Sequence, residues 1–160
     1  MNRRELDLRD FDSIVAEVDR LLNEGYTKVG QWNLAQTCRH LVLPLNGSID
    51  GFNVRGPWLI RKLARLVAWK SLFVKRQIKP GIKAPASFQF NPDDDDREAV
   101  EAFKKALERF RNHQGEFHRH PIFDDLTPEQ WVTFHQTHIC HHLRFLIPAD
   151  RNSGPAQPGD

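Results

Sequence analysis

Ten residues toward the C-terminal end, Thr133 to His142, hold half of the chain's eight histidines. A helix turns about 100° per residue, so His138 and His142, four apart, project from one face and present two imidazoles to a common point. Neutral imidazole is the commonest metal ligand, and two at this spacing fix one edge of a coordination sphere. A third ligand must come from another element. The zinc-protease pattern is absent, because Ile139 and not Glu follows the first histidine of the pair.

The segment that carries the cluster marks its own ends. Thr127-Pro128-Glu129-Gln130 has the form of a capping box with Pro at the first helical position, and Pro148 is expected to stop the helix. With His138 as reference, Trp131, Phe134, His142 and Phe145 fall within about 40° on the helical wheel. The imidazoles are therefore expected to point inward, where rings among aromatics must be hydrogen-bonded, paired or bound to metal to offset their desolvation. His135 and His141 flank the stripe at roughly 60° on either side. They are candidates to line the same cavity and tune it without ligating, and Trp131 is a candidate wall.

A second helix is expected from Asn33 or Leu34 to Ile49 or Asp50. Its apolar side is Leu34, Cys38, Leu41, Val42, Leu45 and Ile49. The stripe through His40 differs: Asn33, Gln36, Thr37, His40, Pro44 and Gly47 are small or polar, as suits a helix bordering a cavity. Gln36 and Thr37 join the pocket candidates on that ground. Pro44 has no N–H for the carbonyl of His40, so a kink is expected there.

These two helices carry a resemblance. The run Trp32-Asn33-Leu34-Ala35-Gln36-Thr37-Cys38-Arg39-His40-Leu41 resembles the Trp, Gln and His-Leu motif of the DinB-like (YfiT-like) superfamily, and His138-Ile139-Cys140-His141-His142 resembles its closing His-x-x-His-His. Arg4-Glu5-Leu6, His120-Pro121 with Phe123, Leu126 to Trp131, and Phe145 further resemble one branch of unknown function. The resemblance covers the chain to Pro148. It implies an all-α, four-helix bundle, often dimeric, with an additional helical segment between the second and third bundle helices. It also implies a divalent metal, zinc or nickel, held by His40, His138 and His142, with His141 outside the ligand set. Characterised relatives include transferases and isomerases that use low-molecular-weight thiols. Where many of them have Arg-Gly-Gln after the two histidines, this chain has Leu143-Arg144-Phe145.

The remaining sequence is that of one helical domain over 1–148. At 160 residues, 39% hydrophobic and 28% charged, the chain is long enough to bury a core without disulfides. Cys38 and Cys140 make no disulfide framework. A first helix is expected from Asp10 to Gly25 with Ile14, Val18 and Leu21 on its apolar face, and another from about Asp94 to Asn112 with Ala99, Val100, Phe103, Leu107 and Phe110 buried. The acids Asp93 to Asp96 are expected to cap that helix. Residues 79–92 are expected to form a loop, and 149–160 a disordered tail. The N-terminal residues lack the apolar run of a signal peptide and no stretch reaches the about 20 apolar residues of a membrane span, so a cytoplasmic protein is expected.

Charge is uneven. Between Asp50 and Asp93 there is no acidic residue, while the stretch from Arg55 to Lys83 has nine Lys or Arg. Part of it, 57–74, reads as a basic amphipathic helix whose apolar side is expected to pack on the protein's own core.

Three functions follow for testing. Three imidazoles with an open position suit a metal-dependent enzyme, a transferase or hydrolase acting on a small molecule with a thiol as possible co-substrate. The same bundle could bind metal or a small ligand without turnover. An interaction module working through the basic helix, on nucleic acid or membrane, is the least favoured. A homodimer is expected; no catalytic residue beyond the ligand set is assigned.

Overall fold

The computed structural model describes residues 3–53, 57–78 and 90–149. Within them the chain is mostly helical, in the order α1 (Phe11–Glu24), β1 (Tyr26–Lys28), α2 (Leu34–Asp50), α3 (Trp58–Trp69), a π-helical turn (Lys70–Val74), α4 (Asp96–Arg111), α5 (Pro128–Leu143) and β2 (Leu146–Pro148). Of the tail expected at 149–160 only Ala149 is described; the rest of it and most of the loop expected at 79–92 lie outside the described residues.

Local chemistry sets the helix ends. Asp10 caps α1 through the Ser13 N–H, and Gly25 ends it at φ 80°, a conformation that glycine adopts without strain. Thr127 and Gln130 form the expected capping box of α5, and Asn33 forms an equivalent one with Gln36 at the start of α2. Helix α2 continues through Pro44 to Asp50 without interruption.

Helices α1, α2, α4 and α5 pack on one another around a single core. Ile14, Val18 and Leu21 of α1, Leu34, Leu41 and Leu45 of α2, Val100, Phe103 and Leu107 of α4, and Trp131, Ile139 and Leu143 of α5 are its buried members. Burying each large side chain contributes roughly 1.5–3 kcal/mol, which is why these faces and not the weak intrinsic helix propensities fix the arrangement.

Two features depart from the sequence reading. Helix α5 ends at Leu143, before Pro148, because residues 146–148 leave it to pair antiparallel with β1 in the register Tyr26 to Pro148, Thr27 to Ile147 and Lys28 to Leu146. The amide of Ala149 extends this closure by donating to the Gly25 carbonyl at 2.9 Å. Second, only the C-terminal part of the basic amphipathic segment packs on the core: Leu72 is buried and Trp69 and Phe73 pack beside it, whereas the apolar residues of α3 before Ala68 that are described are exposed.

Candidate metal centre

His40 is placed by the way α2 is pinned at its N-terminus. The first amides of a helix lack intrahelical partners. Here the Leu34 N–H donates to the Tyr26 hydroxyl at 2.9 Å, the Ala35 N–H to Asp96 at 2.7 Å and the Gln36 N–H to the Asn33 side chain at 2.8 Å. Tyr26 in turn donates to Asp96 at 3.0 Å, so β1 and the start of α4 grip α2 together. Asp96, expected to serve its own helix, also serves α2; Asp95 is the residue that caps α4.

Helix α5 is held at its far end by the N-terminal segment that precedes α1. Arg144 donates to the Leu6 carbonyl from both Nε and Nη2, at 3.0 and 2.7 Å, and Arg4 donates to the Leu143 carbonyl at 3.3 Å. Leu143 is fully buried and Phe145 meets the His141 ring edge-on at 5.7 Å. Leu143, Arg144 and Phe145 thus tie down the end of α5.

Between these anchors three imidazoles converge. The Nε2 atom of His138 lies 3.2 Å from Nε2 of His40 and 3.0 Å from Nε2 of His142. One ring nitrogen from each residue lies within 4.8 Å of the others, and all three side chains are half-buried. Nitrogens about 2.0–2.1 Å from a common zinc ion at tetrahedral angles sit about 3.3 Å apart, close to the observed spacing. Burial, reinforced by the neighbouring histidines, pushes His40 down to about 4 and holds His138 and His142 well below the ordinary histidine value. All three rings are therefore neutral at pH 7, with lone pairs available, which is the state a metal ligand requires. The donor set fits a divalent ion.

The walls are aromatic. Trp32 lies over His142, centroids 5.4 Å apart and planes 18° from parallel, and 4.9 Å from the His40 ring. Phe90 meets Trp32 and His40 edge-on, and Phe134 stacks on His138 at 5.5 Å. Trp32 precedes the α2 cap and Phe90 lies outside the helices, so neither could be placed here by helical periodicity.

The other candidates lie as follows. His141 packs edge-on to His142 at 5.1 Å and hydrogen-bonds the Ile78 backbone; burial and the nearby Arg3 and Arg144 charges push it down to about 4. Gln36 is buried by its capping role, its Nε2 donating to the Phe90 carbonyl at 2.9 Å, and so it supports a wall of the site. Thr37 is buried on α2. Trp131 and His135 stack on each other at 5.3 Å inside the aromatic core, His135 against Phe110 and Trp131 against Phe52. Gly47 borders no cavity: the Phe52 ring fills its place, and an added Cβ would lie 2.5 Å from that ring. His120, in the connection that leads to α5, is buried, and its Nδ1 accepts the Ile122 and Phe123 amides at 3.0 and 3.1 Å. It locks a turn.

The family described as "Protein of unknown function (DUF1569)" matches residues 1–149. The chain belongs to the DUF1569 family. No curated protein and no solved structure matches it. The DUF1569 match spans every described element, so the three histidines and their anchors are all family territory.

Proposed function

We propose that this DUF1569 protein is a cytoplasmic metalloenzyme in which His40, His138 and His142 hold one divalent ion, zinc or nickel, within a four-helix bundle of the DinB-like kind. The observation that carries this reading is the convergence of three imidazoles, with Nε2 of His138 3.2 Å from that of His40 and 3.0 Å from that of His142. When bound, an ion with three imidazole ligands and an open position supplies Lewis acidity toward water or a small thiol. The protein's own contribution is positioning and exclusion of solvent. Trp32, Phe90 and Phe134 shield three sides of the imidazole cluster, and the capping network of Tyr26, Asn33 and Asp96 holds His40 against the α5 pair. The aromatic walls favour a substrate with an apolar body, carried to the site with or without a thiol co-substrate.

The test is turnover. Protein loaded with zinc or nickel is incubated with low-molecular-weight thiols and electrophilic or ester substrates, following thiol consumption and product by mass spectrometry. Metal-dependent product formation, absent in His142→Ala, supports the enzyme; a loaded protein that binds metal at one ion per chain but turns over nothing supports a binding protein instead.

A further inference from the structure

Helix α3 turns its apolar side away from the protein. Its inner side is fixed by the ion pair of Arg61 with Asp124 and, one helical stretch later, by buried Leu72 and by Trp69 and Phe73 against Phe123. The opposite side carries Leu59, Leu63, Leu66 and Val67, which fall within roughly 100° on the wheel. They are 62%, 64%, 73% and 68% exposed, and Trp58 at the start of the helix is 69% exposed. Isolated exposed apolar residues need no explanation, but a contiguous strip along three turns marks an interaction surface.

The border of the strip identifies the partner. Lys62, Arg65 and Lys70 are exposed beside it, with Arg65 placed over the Trp69 ring at 5.2 Å. No acidic residue occurs between Asp50 and Asp93 to balance them. A second copy of the chain packed on this strip would set one basic border near another, with no acid of the same segment to pair with it. Nucleic acid would match the charge and leave the leucines unused. An anionic lipid surface matches both: leucines enter the acyl boundary, tryptophan sits at the headgroups and Lys and Arg meet the phosphates. We propose that α3 docks this protein, lying in the interface plane, on anionic membranes. No described helix is long and apolar enough to cross a membrane, so the contact is peripheral.

Co-sedimentation of the full chain with phosphatidylcholine vesicles, with and without a quarter phosphatidylglycerol, tests this. Binding is expected only with phosphatidylglycerol, weakened at least tenfold by raising salt to 0.5 M and by the triple change Lys62→Gln, Arg65→Gln and Lys70→Gln. It is expected to be abolished by Leu63→Glu with Leu66→Glu. Both variants alter exposed positions, and unchanged circular dichroism confirms that each is folded. Brominated lipid should quench tryptophan emission in the parent and less in Trp58→Phe. Absence of binding to the anionic vesicles overturns the proposal. So does binding that survives the leucine changes, or light scattering that shows a dimer dissociated by those changes in a protein that ignores vesicles.

Discussion

The indole of Trp32 lies nearly parallel to the imidazole of His142, 5.4 Å between centroids, although the two residues belong to a loop and to the last helix. A tryptophan this close to a proposed ligand ring would report on a bound ion. Titrating Ni2+ into metal-free protein should quench part of the tryptophan emission with an end point at one ion per chain, and Trp32→Phe should lose most of that quenching while still binding metal. Undiminished quenching in the variant would place the ion elsewhere.

The aromatic core holds two histidines that titrate far from their ordinary value. Burial pushes His120 and His135 from 6.5 to about 3. The unfolded chain protonates each near pH 6.5 and the folded chain only near 3, so the unfolded state binds more protons in that window. Stability is thus complete above 6.5 and falls as pH drops below it, by at most about 1.4 kcal/mol per pH unit for each ring. His135→Phe should change stability at pH 7.5 by less than about 1.5 kcal/mol and flatten the loss between pH 6 and 5. Urea midpoints at the three pH values are the measurement; an unchanged slope would mean that His135 is not neutral and buried.

Gly47 is required by the Phe52 ring, which stacks on Trp131 at 6.2 Å. Gly47→Ala raises helix propensity by up to about 1 kcal/mol yet forces that ring to move. The overpacking should win, for a net loss of roughly 1–2 kcal/mol and a Tm lower by about 2–8 °C. A rise in Tm would show that Phe52 yields freely.

Asp96 accepts from both the Ala35 amide and the Tyr26 hydroxyl. Asp96→Ala leaves two donors without their partner and should cost roughly 1–3 kcal/mol, with weaker metal binding as the α2 N-terminus loosens around His40. Asp96→Asn keeps an oxygen for Ala35 and should lose less by chemical denaturation. Equal losses would mean that charge, not acceptance, is what Asp96 supplies.

The sequence was legible where one residue type repeats with a helix's period. The faces of α1, α2, α4 and α5 and the capping box at Thr127 could be read directly, and the His138 and His142 pair follows from a spacing of four on one helix. His40 entered through a resemblance, because a ligand on a separate helix has no fixed sequence distance from the other two. Three-residue strands such as Leu146–Pro148 are too short to show alternation, so the end of α5 was overextended. Other roles are also hidden: Asp96 reads as one more acid at a helix start, and nothing in the sequence around His120 marks the two amides that its Nδ1 accepts. The apolar periodicity of 57–74 signals a helix correctly, but the expectation that its apolar side packs on the core fails for the leucines of α3, because a period does not tell an inward face from an outward one.

The account rests on one ion held by three rings, and metal content measures it most directly. Untagged protein, loaded with zinc or nickel and freed of excess ion, is assayed by mass spectrometry beside His40→Ala, His138→Ala, His142→Ala and His141→Ala, each confirmed as folded by circular dichroism. The prediction is one ion per chain in the parent and in His141→Ala, with affinity within about 10–100-fold, and loss of bound ion in the other three. Full occupancy in any of those three, or loss in His141→Ala as complete as in His142→Ala, would contradict it.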